Sequence, residues 1–370
     1  MRRSIKIILL NPHSKLAKGG PSTYISNLIS NFHARGYKNS EWISSFSKNR
    51  LFSNFTLLNL FRVFFKLIIS SADIIHVHGS IALLGPAILF KRLSFFKKVD
   101  LYYTFHTQPH LFDVNILTRE LTPSKRSEYT WIKSLICNYF LSNCRKIATV
   151  SSSITNRLNK RYDLNVLNSS ILNSGTNLKP KHLPNLNKKV KSDPINVLTV
   201  GVMYYDWKVV GFPLLIDSIS NLRDSGININ LTIIGDGYYF KTIREYINKL
   251  KFNSFISLPG RIDNVSYYYE KSDIYCQLSM NEGCSHSILE AMSNSLPVIA
   301  GNYSGNKEII LNKENGILVH NNIDEVCSAI RELIKDKLFT KKICENAWKK
   351  INILHKWEIV ANNHLSFYDL

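Results

Sequence analysis

Short, nearly continuous apolar runs alternate along this chain with segments patterned for helices. The runs IKIILL, DIIHVHG, DLYYTFH and KIATVSS occupy its first half, and INVLTVG, INLTIIGDG, FISLPG, DIYCQLS and LPVIAG its second. A strand with one wet face alternates polar and apolar residues, whereas a run apolar at every position is buried on both faces. Segments of about 10–15 residues such as GFPLLIDSISNLRDSG and YYFKTIREYINKL lie between the runs and read as the covering helices of parallel α/β sheets. At 370 residues the length favours about two domains. The aperiodic, proline-containing stretch KPKHLPNLNKKVKSDP, residues 179–194, is the expected linker. It separates residues 1–178 from 195–355, two Rossmann-like domains of similar size.

The longest apolar stretch, around residues 55–70, is interrupted by Asn59, Arg62 and Lys66 and falls short of the ~20 residues that span a bilayer. The basic N-terminus, MRRSIKIILLN, fits a first core strand better than a signal peptide. Six scattered cysteines without a C-x-x-C pair suit reduced thiols, and a cytoplasmic chain is expected. Charge is lopsided. Residues 1–190 carry 28 Lys and Arg against 7 Asp and Glu, and the remainder carries 19 against 20. The basic half calls for an anionic partner: an acidic substrate, a membrane surface or nucleic acid.

The most informative stretch is NEGCSHSILEAMSNSLPVIAGNYSG, residues 281–305. Small residues run into a helical pattern that Pro297 ends. A helix start preceded by small residues suits an anion, because its first N–H groups lack partners within the helix. A glutamate two turns in, Glu290, then presents a carboxylate to hydroxyls beside that anion. Diphosphate plus ribose has this layout.

Other sites are poorly supported. There is no phosphate loop of the G-x-x-x-x-G-K type, and GDGYYF at Gly235 lacks the third glycine of a dinucleotide fingerprint. No D-x-D is present to clamp a metal-bound nucleotide sugar, and no Cys/His pattern completes a zinc shell around His76 and His78 or His106 and His110. No metal and no cofactor is expected.

The 281–305 segment resembles the E-x7-E region of retaining glycosyltransferases of family 4, which have the two-domain GT-B fold. GGPSTYISNL resembles that family's N-terminal glycine loop, and YYTFHTQPH its strand end with an active-site histidine. LTVGVMYYDWKVVGFPLLIDSI resembles its lysine-containing phosphate segment. WEIVANNHLSFY resembles its C-terminal helix (residues 356–370), which returns to the first domain. The resemblance implies a nucleotide-diphosphate sugar as donor and a glycan or lipid-linked hydroxyl as acceptor. It further implies retained anomeric configuration, with the departing phosphate helping to deprotonate the acceptor.

It also implies roles. Glu290 accepts hydrogen bonds from ribose, and Glu282 contacts the sugar. Ser285, His286, Ser287 and Ile288 offer backbone N–H groups to the diphosphate, and Lys208 neutralises the leaving phosphate. Gly19 and Gly20 let the chain pass close to the diphosphate, His106 meets the sugar or acceptor, and Arg261 and Ile262 lie near the base. Plainer alternatives stand beside these: an exposed helix carboxylate at Glu290, a simple N-cap at Ser285, a solvated Lys208, an ordinary turn at Gly19 and Gly20, a buried structural His106. The likeness departs at Val202, where the family commonly has arginine, and at Lys208-Val-Val-Gly211, where its lysine and glycine are adjacent.

Two other functions fit the same features. A nucleotide-sugar 2-epimerase would share the fold, and a nucleic-acid-binding protein would share the basic half, although no nucleic-acid module is recognisable. In NFTLLNLFRVFFKLIIS the polar Thr56, Asn59, Arg62, Lys66 and Ser70 form one narrow helical stripe. It reads either as a core helix or, with FKRLSFFKK nearby, as an interfacial helix in peripheral contact with an anionic membrane.

Overall fold

The computed structural model describes residues 5–12, 20–45, 57–106, 112–114, 121–123, 131–162, 169–177, 194–303 and 305–370. Gly19, His110 and the expected linker apart from Pro194 lie outside them. Two compact units emerge. The first comprises residues 1–109, 128–175 and 357–370, and the second residues 110–127 and 176–356.

Strands β1 (Ile7–Asn11), β2 (Glu41–Ser44), β3 (Ile74–His78) and β4 (Asp100–Phe105) belong to the first unit. The short antiparallel pair β5 (Phe112–Val114) and β6 (Leu121–Pro123) belongs to the second. With β7 (Lys146–Thr149) and β8 (Ser170–Ile171), the first unit forms a parallel sheet in the order β2-β1-β3-β4-β7-β8. Every residue of β1 and β3 is buried, as their unbroken apolar runs require. One sheet face, with Ile7, Leu9 and Tyr102, packs against the helix Gly20–Ala34 and the C-terminal helix Trp357–Phe367. The C-terminal helix therefore completes the first unit's core, joining it through Trp357, Val360 and Leu365.

In the second unit, β9 (Ile195–Val200), β10 (Ile229–Ile234), β11 (Ile256–Gly260), β12 (Ile274–Gln277), β13 (Val298–Gly301) and β14 (Ile317–Val319) make another parallel sheet. Its order is β11-β10-β9-β12-β13-β14. Alternate residues serve opposite faces. Val197 and Cys276 join a core with the helices Gly211–Asp224 and Ile323–Lys335, whereas Leu198 and Tyr275 join one with the helix His286–Ser293. The order reverses between β9 and β12, and the carboxyl ends of strands at such a switch point flank a crevice. Both segments singled out by sequence, around Lys208 and Glu282, leave these two strand ends.

Candidate active site

β12 reads IYCQ and is buried throughout, so Gln277 is a polar residue at the carboxyl end of a core strand. Burial obliges its amide to find partners. Its Oε1 accepts from Ser285 Oγ at 2.8 Å, Ser287 Oγ at 2.6 Å and Tyr275 OH at 3.0 Å. Its Nε2 donates to Ser279 Oγ and Glu282 Oε1, both at 3.1 Å. One side chain thus fixes the strand end, the Glu282 loop and the helix start. Gln277 was missed by sequence reasoning, and its signal was a lone polar residue ending an apolar strand.

Glu282 is buried, and its second oxygen, Oε2, lies 3.1 Å from Lys208 Nζ. The Lys208 segment is held by the backbone. Met280 N–H donates to Trp207 O at 2.9 Å, and the short helix Asp206–Val209 leads directly into Gly211–Asp224. A Cβ on Gly211 would sit 2.7 Å from the Leu278 carbonyl carbon, so only glycine lets this helix start lie on the β12 loop. The two residues between Lys208 and Gly211 therefore finish a helical turn, and the lysine still reaches Glu282.

The helix His286–Ser293 starts at Ser285, whose side chain accepts from Ile288 N–H at 3.5 Å. The N-cap reading of Ser285 holds, and it occupies the Ile288 donor expected to face a diphosphate. On this helix Glu290 is half-buried rather than an exposed carboxylate, and its Oε2 accepts from Tyr269 OH at 2.9 Å. Burial raises the Glu290 carboxyl above its ordinary range, and the Tyr269 hydrogen bond offsets part of that rise. Tyr269 is itself pushed well up, first by burial and then by the neighbouring carboxylate. Opposite the helix start, Gly305 N–H donates to Glu282 O at 3.0 Å, and a Cβ there would come within 1.9 Å of Gly283 O.

Arg261 and Ile262 follow β11. Ile262 packs against the cluster that contains Ile288 and Tyr269, while exposed Arg261 has Asp263 at 4.0 Å. Val202 is partly exposed just beyond β9.

The remaining expected residues lie in the first unit. Gly20 opens the helix Gly20–Ala34. His106 follows β4, and its Nε2 lies 2.9 Å from His78 Nδ1, with the Tyr24 ring at its edge. His78 is fully buried and its ring lies tilted against that of His76, centroids 4.0 Å apart. His76 bonds Tyr368 OH through Nδ1 at 2.6 Å and Thr104 Oγ1 through Nε2 at 2.7 Å. His364 Nε2 meets Tyr24 OH at 2.8 Å. Burial holds His76, His78 and His364 neutral, His364 with its pKa lowered to about 4.

Residues 186–350 match the family described as Glycosyl transferases group 1, and residues 18–178 match Glycosyltransferase Family 4. An uncharacterized glycosyltransferase of Haemophilus influenzae is 31% identical over 198 residues, 53% of this chain and 53% of its own. The chain spans about half the length of the curated relatives it matches. Among solved structures, sucrose-phosphate synthase from Thermosynechococcus elongatus has a TM-score of 0.78 at 17% identity, covering 99% of this chain and 98% of that one. Anabaena HepE, solved in complex with UDP and glucose, has a TM-score of 0.71 at 16% identity, covering 99% of each chain. At such identities the likeness is one of fold, and the fold is GT-B.

Proposed function

The chain belongs to the group 1 and family 4 glycosyltransferases, and from that premise we propose that it is a retaining enzyme transferring a sugar from a nucleoside-diphosphate donor to a hydroxyl of a glycan or lipid-linked acceptor. One observation carries the donor half. A capped helix start, two buried or half-buried carboxylates eight positions apart and Lys208 are gathered at the carboxyl ends of β9 and β12. The helix dipole favours an anion there. Glu290, fixed by Tyr269 OH, accepts from the ribose hydroxyls. Glu282 addresses the sugar, and Lys208 meets the phosphate. That a similar fold was solved with UDP and glucose supports the same class of donor.

In the proposed reaction the bond between the anomeric carbon and the phosphate oxygen breaks. The acceptor oxygen bonds that carbon on the same face, and its proton passes to the departing phosphate. Lys208 stabilises the charge that grows on the leaving oxygen. His106 hydrogen-bonds the sugar or the acceptor. The groups named supply this step without a metal.

The test is incubation with UDP-, GDP- and ADP-sugars, reading nucleoside diphosphate release with and without glycan or lipid-linked acceptors. Acceptor-dependent release with the α or β configuration of the donor preserved is expected. An inverted product refutes the mechanism. Conversion of a UDP-sugar to its 2-epimer without acceptor refutes the transferase reading, and no binding of any donor refutes the site.

A further inference from the structure

The helix Leu57–Ser70 buries Val63, Leu67 and Ser70 and turns Phe61, Phe65 and Ile69 outward, 56%, 59% and 83% exposed. Ser70 therefore does not belong to a solvent-facing polar stripe; its hydroxyl donates to Leu67 O at 2.8 Å. At about 100° per residue, Leu58, Phe61, Phe65 and Ile69 share one outer arc, and Arg62 and Lys66 line its flank. The outer surface of this helix is apolar with a cationic edge, the reverse of an ordinary surface helix.

The surface continues beyond one helix. The helix Leu84–Leu93 lies beside it and exposes Leu89 and Leu93. The loop that follows exposes Phe95 by 80% and Phe96 completely. Lys97 Nζ lies 2.8 Å from Asp73 Oδ1, which ties this loop to the chain just past Ser70. Two aromatic side chains are thus held at the Ile69 end of the first helix. A third helix, Trp131–Ser142, packs beside the second, and Arg92 joins them by donating to Tyr139 OH at 2.7 Å. The sequences of all three helices and of residues 94–98 contain five lysines and two arginines and no Asp or Glu.

We propose that this face of the first unit docks on an anionic lipid bilayer, the Phe and Ile side chains entering the headgroup boundary and Arg62, Lys66, Arg92 and Lys98 meeting lipid phosphates. The combination selects this partner. Contiguous exposed apolar side chains mark an interaction surface, and basic residues flanking them are the pattern of interfacial helices. Duplex nucleic acid would reward the cations but not the exposed Phe and Ile, and a single strand stacks bases on Phe but gains nothing from exposed Leu58, Ile68, Ile69, Leu89 and Leu93. A second copy pairing through the same patch would set like charges against each other, with no carboxylate on the patch helices to relieve them. Such docking would place a lipid-linked acceptor near the enzyme, yet it depends on first-unit residues alone and needs no donor.

The full chain is sedimented with vesicles of phosphatidylglycerol and phosphatidylcholine, and with phosphatidylcholine alone. It is expected to pellet with the anionic vesicles at low salt, to be released progressively as salt rises, and to stay in solution with the neutral ones. Phe65→Ser combined with Phe95→Ser and Phe96→Ser should lower partitioning at least tenfold. Arg62→Glu, Lys66→Glu and Lys98→Glu should each lower it roughly fivefold or more. All should leave donor turnover on a soluble acceptor unchanged, which separates failure of this surface from failure of the transferase reading. A wild-type chain that stays in the supernatant with anionic vesicles overturns the proposal. So does a triple Phe variant that pellets like wild type, or a wild-type dimer in gel filtration that this variant makes monomeric.

Discussion

Lys208 Nζ lies 3.1 Å from Glu282 Oε2, and Glu282 Oε1 is at the same time held by Gln277 Nε2. The carboxylate is fixed by a neutral amide on one side and faces a cation on the other. Glu282 is buried and Lys208 only partly exposed, so removing the lysine leaves a buried carboxylate held by Gln277 and costs more than the loss of a surface pair. The consequence of the contact is positional: the cation is kept at the β9 and β12 strand ends.

Lys208→Ala should accordingly lower kcat by about 100-fold while changing donor KM little, and lower the unfolding free energy by about 1–3 kcal/mol because a buried carboxylate loses its cation. Steady-state kinetics and a urea titration read both. A raised KM at unchanged kcat would assign Lys208 to ground-state binding instead.

Glu290 should act on affinity. Glu290→Gln and Tyr269→Phe should each weaken donor binding several-fold, the first by removing a charged acceptor and the second by freeing its rotamer. The burial that raises the Glu290 carboxyl means that wild-type affinity falls with pH from a higher onset than for an ordinary glutamate. Calorimetry from pH 7.5 downward should find this fall in wild type and not in Glu290→Gln; equal profiles would contradict the ribose assignment.

On the role proposed for His106, the 2.9 Å contact between its Nε2 and His78 Nδ1 makes His78 a positioning residue that holds the His106 ring. His78→Phe should reduce kcat about tenfold or more, with donor KM unchanged and the pH–rate profile displaced, and His78→Gln should restore part of the rate. Thermal melts distinguish a local effect from unfolding. An unaltered pH profile in a folded variant would leave His78 a packing residue.

The buried histidines also make the first unit acid-sensitive. Their folded pKa values lie below the ordinary 6.5, His364 at about 4. The unfolded chain therefore binds more protons in this interval. The stabilisation is complete above pH 6.5 and is lost as pH falls from there towards 4. Each such group contributes a slope of up to about 1.4 kcal/mol per pH unit. Denaturant midpoints at pH 7.5 and 5.5 should differ in that direction, and His364→Phe should reduce the difference.

Gly305→Ala would force a Cβ to within 1.9 Å of Gly283 O. The Glu282 loop must then move, at a cost of about 1–3 kcal/mol, and donor affinity should drop with stability. A variant with native melting and native affinity would mean that the loop yields freely.

Much of this was legible from local pattern. The inner strands of both sheets and β11 coincide with the apolar runs, whereas the edge strands β2, β8 and β14 were not among them, and the helix at Ser285 starts where small residues meet a helical period. The apolar outer face at Phe61 and Phe65 was not legible, because periodicity identifies a stripe without saying which side the rest of the unit covers.

By itself the sequence determined the two parallel α/β sheets, the family and the segments that carry Glu282, Glu290 and Lys208. Runs of buried strand and helix-start residues are local, and local patterns are written contiguously. Only the tertiary structure decided that Gln277 ties the strand end to both serines and to Glu282, that Tyr269 holds Glu290, and that His78 holds His106. Those partners are set by which strand ends adjoin and how far a side chain reaches, and both are fixed by packing rather than by spacing along the chain.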